Sequence, residues 1–404
     1  MFIPWRFGFA SALLAVSGAF PQGLTLDTLI QLGLRNNPDL LLYQVEIEGI
    51  ASDTLSASLR PNPRLEIDLG HNLTHPDQPT AGTRISREFQ SGVRKQQGKV
   101  SKANLEAKRQ WRKSRELETS ADIRSTFFTW QILSRKASLQ QEAQKRWEAL
   151  SRIAAAKVKE GRLSQVDEAQ ARLNLAKARQ GERTLRTEMG ALEKRLAYLI
   201  GQPSLPESPA AFPIDSNPQV SSLESLTAMA IEESPELKAL DKETLAQREQ
   251  VDLEKALRGV PVTVSVGYER DTDGNNIVGG GVELPVPLFN RNQAGIAKSR
   301  SSLVLAERRR GVAEQRIKIE ISEIHGRLTD LAARYRDYRE EISAISLKQL
   351  ELSEKGFLQG MLGIFDLSRV QEEFLSREGE ALDILEEFYR QRNRLGKVVG
   401  GRVW

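Results

Sequence analysis

The sequence predicts a mainly α-helical protein with a smaller β component, in which long coiled-coil hairpins occur twice and each copy also carries two short strands. Three observations predict this. The chain is duplicated: Leu24-Thr25-Leu26-Asp27 and Asn37-Pro38-Asp39-Leu40 return 197 residues later as Ser221-Ser222-Leu223-Glu224 and Ser234-Pro235-Glu236-Leu237. Residues 92–160 and 290–356 contain no proline. Between helical stretches, each copy alternates apolar and polar residues with a period of two. The 197-residue offset also pairs Ile85 with Val282, Phe89 with Val286, Arg94 with Arg291 and Gly98 with Gly295. It drifts to 199 for Gly161 and Gly360, Asp167 and Asp366, and Gly201 and Gly400. Such a period is far longer than a solenoid unit of about 20–50 residues.

The order of segments follows from these marks. Residues 1–19 read as an export signal: Arg6 is the positive region, residues 7–16 are apolar, and Ser17-Gly18-Ala19 offers small residues for cleavage. The apolar stretch is shorter than the roughly 20 residues a spanning helix needs. A first repeat occupies 20–201, a linker with five of the sixteen prolines covers 202–221, and a second repeat runs over 222–404. Each repeat opens with a short helix that breaks and restarts at Asn37-Pro38 or Ser234-Pro235. Asn and Ser accept an orphan helix N–H, and Pro fits the first turn.

The long segments carry the coiled-coil signal. Ile317, Ile321, Ile324, Leu328, Leu331, Tyr335, Tyr338, Ile342 and Ile345 keep a 4-3-4-3 spacing. In the first repeat Ile123, Phe127, Trp130 and Ala137 hold a rougher seam. Some sixty residues at 1.5 Å each make a rod of roughly 100 Å. Both rods end in glycine turns, Gly161-Arg162-Leu163-Ser164 and Gly360-Met361-Leu362-Gly363, and return as antiparallel helices.

The strands are expected at about 62–70 and 82–90, and at about 261–270 and 277–287. Leu65, Ile67 and Leu69 alternate with Glu66 and Asp68; Val262, Val264, Val266 and Tyr268 alternate with polar or small residues. One apolar and one polar face is the pattern of a transmembrane barrel, lipid on one side and water on the other. Four strands cannot close a barrel, and open edges are not tolerated in lipid. Several copies must therefore combine; two would supply eight strands and a plugged interior, three would supply twelve and room for a pore. Pro61, Pro63, Pro261, Pro285 and Pro287 mark the elbows between helix and strand.

The composition excludes several classes. Charged residues make up 28% of the chain and apolar residues 39%, suited to long solvated helices rather than a large globular core. The net charge of +4 arises from interleaved acids and bases, which gives no nucleic-acid footprint. Cysteine is absent, so there is no disulfide, thiolate site or acylated N-terminal cysteine.

The chain resembles the TolC-like outer-membrane factors, the outer membrane efflux protein family, and within it the heavy-metal efflux, CzcC-like branch. The likeness is carried by residues 24–40, by Pro61-Asn62-Pro63, by Pro285-Val286-Pro287-Leu288-Phe289-Asn290-Arg291-Asn292, and by Gly161, Asp167, Ala171 and Arg172 in order. It covers nearly the whole mature chain. It implies a homotrimer whose strands form a twelve-stranded barrel in the outer membrane of a Gram-negative bacterium, set on a periplasmic helical tunnel. It also implies docking of the tips onto a periplasmic adaptor (membrane fusion) protein of a proton-driven (RND) or ATP-driven (ABC) inner-membrane pump. A type I protein secretion system is an alternative within this class, and a non-pore coiled-coil scaffold one outside it.

The resemblance places adaptor contacts at Gly161, Arg162, Leu163 and Ser164 and at Gly360, Met361, Leu362 and Gly363. It places the tunnel entrance at Asp167 and Asp366, where threefold-related carboxylates would favour cations. Acids also suit a helix N-terminus on ordinary grounds. Three positions depart from the family pattern: Arg369 stands where a second acid is expected, and Phe357 and Leu362 replace a tyrosine–arginine clamp. Apolar packing at the gate is expected instead. No catalytic constellation, cofactor motif or metal site is expected. His71 and His75 lack a third ligand, Asp271, Asp273 and Asn275 lack the terminal glutamate of a calcium loop, and Gly279-Gly280-Gly281 lies within a strand and gives room for a bend. Trp111, Trp130 and Trp147 are assigned to helix packing.

Overall fold

A computed structural model describes residues 24–71, 79–210, 219–270 and 273–401. The proposed signal, His75 and Asp271 lie outside these residues. The first repeat runs α1 (Leu26–Asn36), α2 (Pro38–Ser58), β1 (Arg64–His71), β2 (Pro79–Phe89), α3 (Val93–Lys159) and α4 (Gln165–Leu199). The second runs α5 (Leu223–Glu233), α6 (Pro235–Ala256), β3 (Val262–Arg270), β4 (Asn276–Glu283), α7 (Gln293–Asp337), a π turn (Tyr338–Ile342), α8 (Ser343–Gln359) and α9 (Ile364–Val398).

The helix breaks form as their caps dictate. The Asn37 side chain accepts from the N–H of Asp39 at 3.0 Å and of Leu40 at 3.2 Å, and its amide donates to the Leu199 carbonyl at 3.0 Å. The break in α1–α2 is thereby tied to the end of the return helix. Ser234 accepts from Leu237 at 3.5 Å in the second repeat. Gly201 and Gly400 close the two return helices with φ of 67° and 79°. A Cβ on Gly201 would lie 2.1 Å from the Asn36 carbonyl oxygen, and one on Gly400 would lie 2.8 Å from that of Glu233. Backbone meets backbone at the same point of both repeats, which only glycine allows.

Of the linker, residues 202–210 are non-helical. Leu24 lies parallel to Pro209 there, and the Ala210 N–H donates to the Leu24 carbonyl at 2.9 Å.

The three largest buried clusters among the described residues run along the rods, and a fourth, small one joins Val93 and Val100 to Leu253 near the sheet. The first joins α1, α3 and α4 to Tyr335, Tyr338 and Tyr389 of the second repeat; Phe128 stacks on Tyr389 at 4.2 Å. The second packs α5, α6 and α9 on Ile317, Ile321, Ile324, Leu328 and Leu331. The third fills the hairpin ends with Trp147, Leu150, Phe357, Ile364 and Leu367. Trp130 and Trp147 are buried and Trp111 is half-buried; Trp111 donates to Glu243 at 2.7 Å and Trp130 to Glu193 at 3.1 Å, so all three pack helices.

The expected seam is correct as far as Tyr338 and wrong beyond it. Ile342 and Ile345 are exposed, Ile345 at 66%, and Ser346, Leu350, Ser353 and Phe357 are buried instead. The π turn between them holds one residue more than an α turn. It moves every later side chain one position along the seam. In the first repeat Ala137 is only half-buried, consistent with its rougher pattern.

The four strands form one antiparallel sheet in the order β1-β2-β3-β4. β4 stops at Glu283, short of the expected end near 287, because Pro285 and Pro287 have no N–H for a ladder. β2 begins earlier than expected, at Pro79. The register places Leu65, Ile85, Val266 and Gly280 in one row and Ile67, Thr83, Tyr268 and Val278 in the next. The intervening rows are Glu66, Arg84, Gly267, Gly279, and then Asp68, Gly82, Glu269, Ile277. The sheet thus has an apolar and a mainly polar face, and Gly279 and Gly281 fall on the polar one.

Candidate functional sites at the sheet and the hairpin tips

The apolar face of the sheet is uncovered. Leu65, Ile67, Leu69, Ile85, Val266, Val278 and Val282 are all exposed. The outer edges of β1 and β4 carry no partner strand in the described sheet. An apolar face and two open edges are unstable in water and match the needs of a barrel wall shared among copies. No helix among the described residues is long and apolar enough to cross a membrane. The strands are the elements whose faces fit lipid. Strands of 8 to 11 residues at about 3.3 Å each, tilted by about 40°, give a band roughly 20–28 Å tall. At its helix-side end Arg87 reaches over the Phe89 ring, 5.2 Å from the centroid.

The tips lie at the opposite end of the rods. At the first, Gly161 has φ of 71°, its N–H donates to Val158 at 3.0 Å, and Arg162 donates to Lys157 at 2.8 Å. Ser164 and Asp167 form a capping box: the Asp167 N–H donates to Ser164 Oγ at 3.2 Å, and the Ser164 N–H and hydroxyl donate to Asp167 Oδ2 at 3.0 and 2.7 Å. The Asp167 carboxylate thus has a local task, whatever else it does. At the second tip Gly360 has φ of 79°, and Met361 and Leu362 both donate to the Gly356 carbonyl, at 2.8 and 3.2 Å. Leu362 folds over Gly356, where a Cβ would lie 2.9 Å from Leu362 Cδ1. Gly363 offers no side-chain cap to α9, so Asp366 lacks the serine that engages Asp167. Met361, Asp366 and Arg369 are exposed.

Phe357 is 1% exposed and belongs to the core inside the tip, not to its surface. Any effect it has on an entrance passes through packing. Sequence reasoning missed the residue that holds it. Lys157, in the last turn of α3, donates to the carbonyls of Phe357 at 3.2 Å and Leu358 at 3.0 Å. Its Nζ also sits 5.2 Å from the Phe357 ring centroid. A lysine in a helix's last turn was the available signal; that it caps the other hairpin's helix was not visible. Asn174 donates to Ser368 at 2.6 Å, and Lys177 pairs with Glu372 at 2.9 Å, so the two hairpins are joined along their tips. Among the described residues no group of His, Asp and Glu could hold a metal ion.

Residues 29–202 match the family described as "Outer membrane efflux protein". The chain is similar to the cobalt-zinc-cadmium resistance protein CzcC of Cupriavidus metallidurans, 24% identical over 281 residues; the match spans 68% of this chain and 65% of that protein. The fold is similar to that of the outer membrane protein VceC of Vibrio cholerae, with a TM-score of 0.77 and 15% identity, covering 93% of this chain and 96% of that one. It is equally similar to the open state of the MtrE outer membrane channel of Neisseria gonorrhoeae, with a TM-score of 0.77 and 17% identity, covering 94% and 89%. Residues 29–202 thus match the outer membrane efflux protein family, and the duplicated strand-and-hairpin fold is similar to that of the solved outer membrane channels.

Proposed function

We propose that the chain is the outer-membrane exit duct of a tripartite efflux system. The observation that carries this reading is the two-faced, open-edged sheet joined to paired helical rods of roughly 100 Å. Three copies would close the sheets into a twelve-stranded barrel, polar face inward, and continue the lumen into a helical tunnel in the periplasm. The tip residues Gly161, Arg162, Leu163, Ser164, Gly360, Met361, Leu362 and Gly363 meet a periplasmic adaptor, which links the duct to an inner-membrane pump of RND or ABC type. Asp366 and Asp167 stand just inside the entrance, with Arg369 one turn along and Phe357 supporting the wall from within. The likeness to CzcC supports heavy-metal cations as the exported class. The duct itself is passive and holds no cofactor.

Deletion of the gene followed by complementation tests the reading. Restored cation tolerance with the full chain, and none with a chain lacking β1–β4, supports it. Equal tolerance with and without the strands favours a non-pore scaffold, and loss of secreted protein instead of cation tolerance favours a type I secretion role.

A further inference from the structure

The joint between β4 and α7 is not a copy of its counterpart. Residues 90–92 join β2 to α3, whereas 284–292 join β4 to α7. The sequence has no insertion here; β4 ends earlier and α7 starts later, and the irregular stretch this leaves is apolar and faces outward: Val286 and Leu288 are exposed, and Phe289 is 89% exposed. Its shape is nonetheless held by polar tethers. Arg291 Nε donates to the Pro287 carbonyl at 3.3 Å, and the Gln293 amide donates to the Phe289 carbonyl at 3.0 Å. The Asn292 amide donates to the backbone carbonyl and carboxylate of Glu254 at 2.9 and 2.7 Å, which pins the joint to α6. Beside it lies a groove of 520 Å³ lined by Leu288, Phe289 and Ile296 together with Arg258, Arg291 and Arg300.

We propose that this joint binds an anionic phospholipid of the periplasmic-facing leaflet. The inference rests on the barrel reading, which puts the helix-side end of β4 where acyl chains give way to headgroups. Phe289 and Leu288 continue the lipid-facing surface of the strands and enter the acyl region. The phosphate lies against the guanidinium groups of Arg258, Arg291 and Arg300, whose planar donors match phosphate oxygens in pairs. An aromatic tip beside clustered arginines is a combination suited to the headgroup level of a bilayer. A second copy fits the groove less well. The strand edge completing the barrel beside β4 is β1, and the approach to β1 carries the exposed bases Arg60 and Arg64 rather than acids. Opposed arginines call for an anion between them.

The test uses the full chain in phosphatidylethanolamine vesicles containing phosphatidylglycerol. Because the chain has no cysteine, Phe289→Cys takes a single fluorophore. A nitroxide on the phosphatidylglycerol headgroup should quench it several-fold more than the same nitroxide on phosphatidylethanolamine. Arg258→Gln with Arg300→Gln should abolish that preference, and inorganic phosphate should leave it unchanged. Equal quenching by both lipids with the arginines intact overturns the proposal. A label on Val266→Cys, in mid-strand, separates the two readings: quenching there by an acyl-chain nitroxide upholds the barrel whatever Phe289 reports, and its absence removes both.

Discussion

The Lys157 ammonium donates to the Phe357 carbonyl at 3.2 Å, 200 residues away in sequence, and so caps the end of one hairpin's helix with the last turn of the other. A cation at a helix C-terminus stabilises by about 0.3–1 kcal/mol at an exposed site. The second carbonyl and the ring contact add to this. Lys157→Met should therefore loosen the second tip without unfolding the rods. Amide exchange over residues 356–363 is expected to quicken by about five- to tenfold, since each 1.4 kcal/mol is a factor of ten. Unchanged exchange would show that the contact contributes nothing.

Asn37 and Ser234 occupy equivalent breaks but make unequal contacts. Removing a helix cap costs about 0.5–2 kcal/mol, and Asn37→Ala also strands the Leu199 carbonyl, which adds roughly 1–3 kcal/mol. Ser234→Ala loses only a long cap bond. Thermal unfolding in detergent should show a clearly larger drop for Asn37→Ala. Equal drops would mean that the bond across to Leu199 carries no weight.

The tip glycines and the closing glycines are predicted to separate. Gly161 and Gly360 have positive φ but open space around the missing Cβ. Gly161→Trp or Gly360→Trp should leave folding and membrane insertion intact while blocking adaptor docking, read as lost co-purification and efflux. Gly201→Ala instead drives a Cβ into the Asn36 backbone and should lower yield and melting temperature. Normal efflux from both tip variants would remove the tips from the docking surface.

The π turn makes its own prediction. Burial and a 2.8 Å bond to the Glu378 carboxylate hold the Tyr338 phenol well above its usual pKa, so it stays a neutral donor through the physiological range. Deleting Glu340 would turn the π turn into an ordinary α turn and keep Ser346, Leu350, Ser353 and Phe357 inward. Deleting Thr329 would instead rotate everything after it by about 100°. The first deletion should preserve the melting temperature and the second should collapse it. Similar losses from both would show that the extra residue is not what shifts the seam.

Much of this architecture was legible because it follows from local chemistry repeated twice. Asn37-Pro38 and Ser234-Pro235 break helices by capping, and Val262, Val264 and Val266 reveal a two-faced strand by alternation alone. What stayed hidden depends on partners distant in sequence. Ile342 and Ile345 satisfy the heptad perfectly, yet the π turn carries them outward. Phe357 reads as a gate side chain, yet Lys157 holds its carbonyl and the cluster at the hairpin ends buries its ring. Single-residue shifts and contacts between hairpins leave no periodic trace, so these were the places where pattern reading failed.

The central claim is that the β3 strand stands between lipid and water. Spin labels placed singly at positions 262 to 268, in the reconstituted full chain, measure it through collision with oxygen, which concentrates in lipid, and with a nickel chelate, which stays in water. The account predicts a two-residue alternation, with Val264 and Val266 favouring oxygen and Ser265 and Gly267 favouring nickel. Nickel access at all these positions, or none at any, would contradict it.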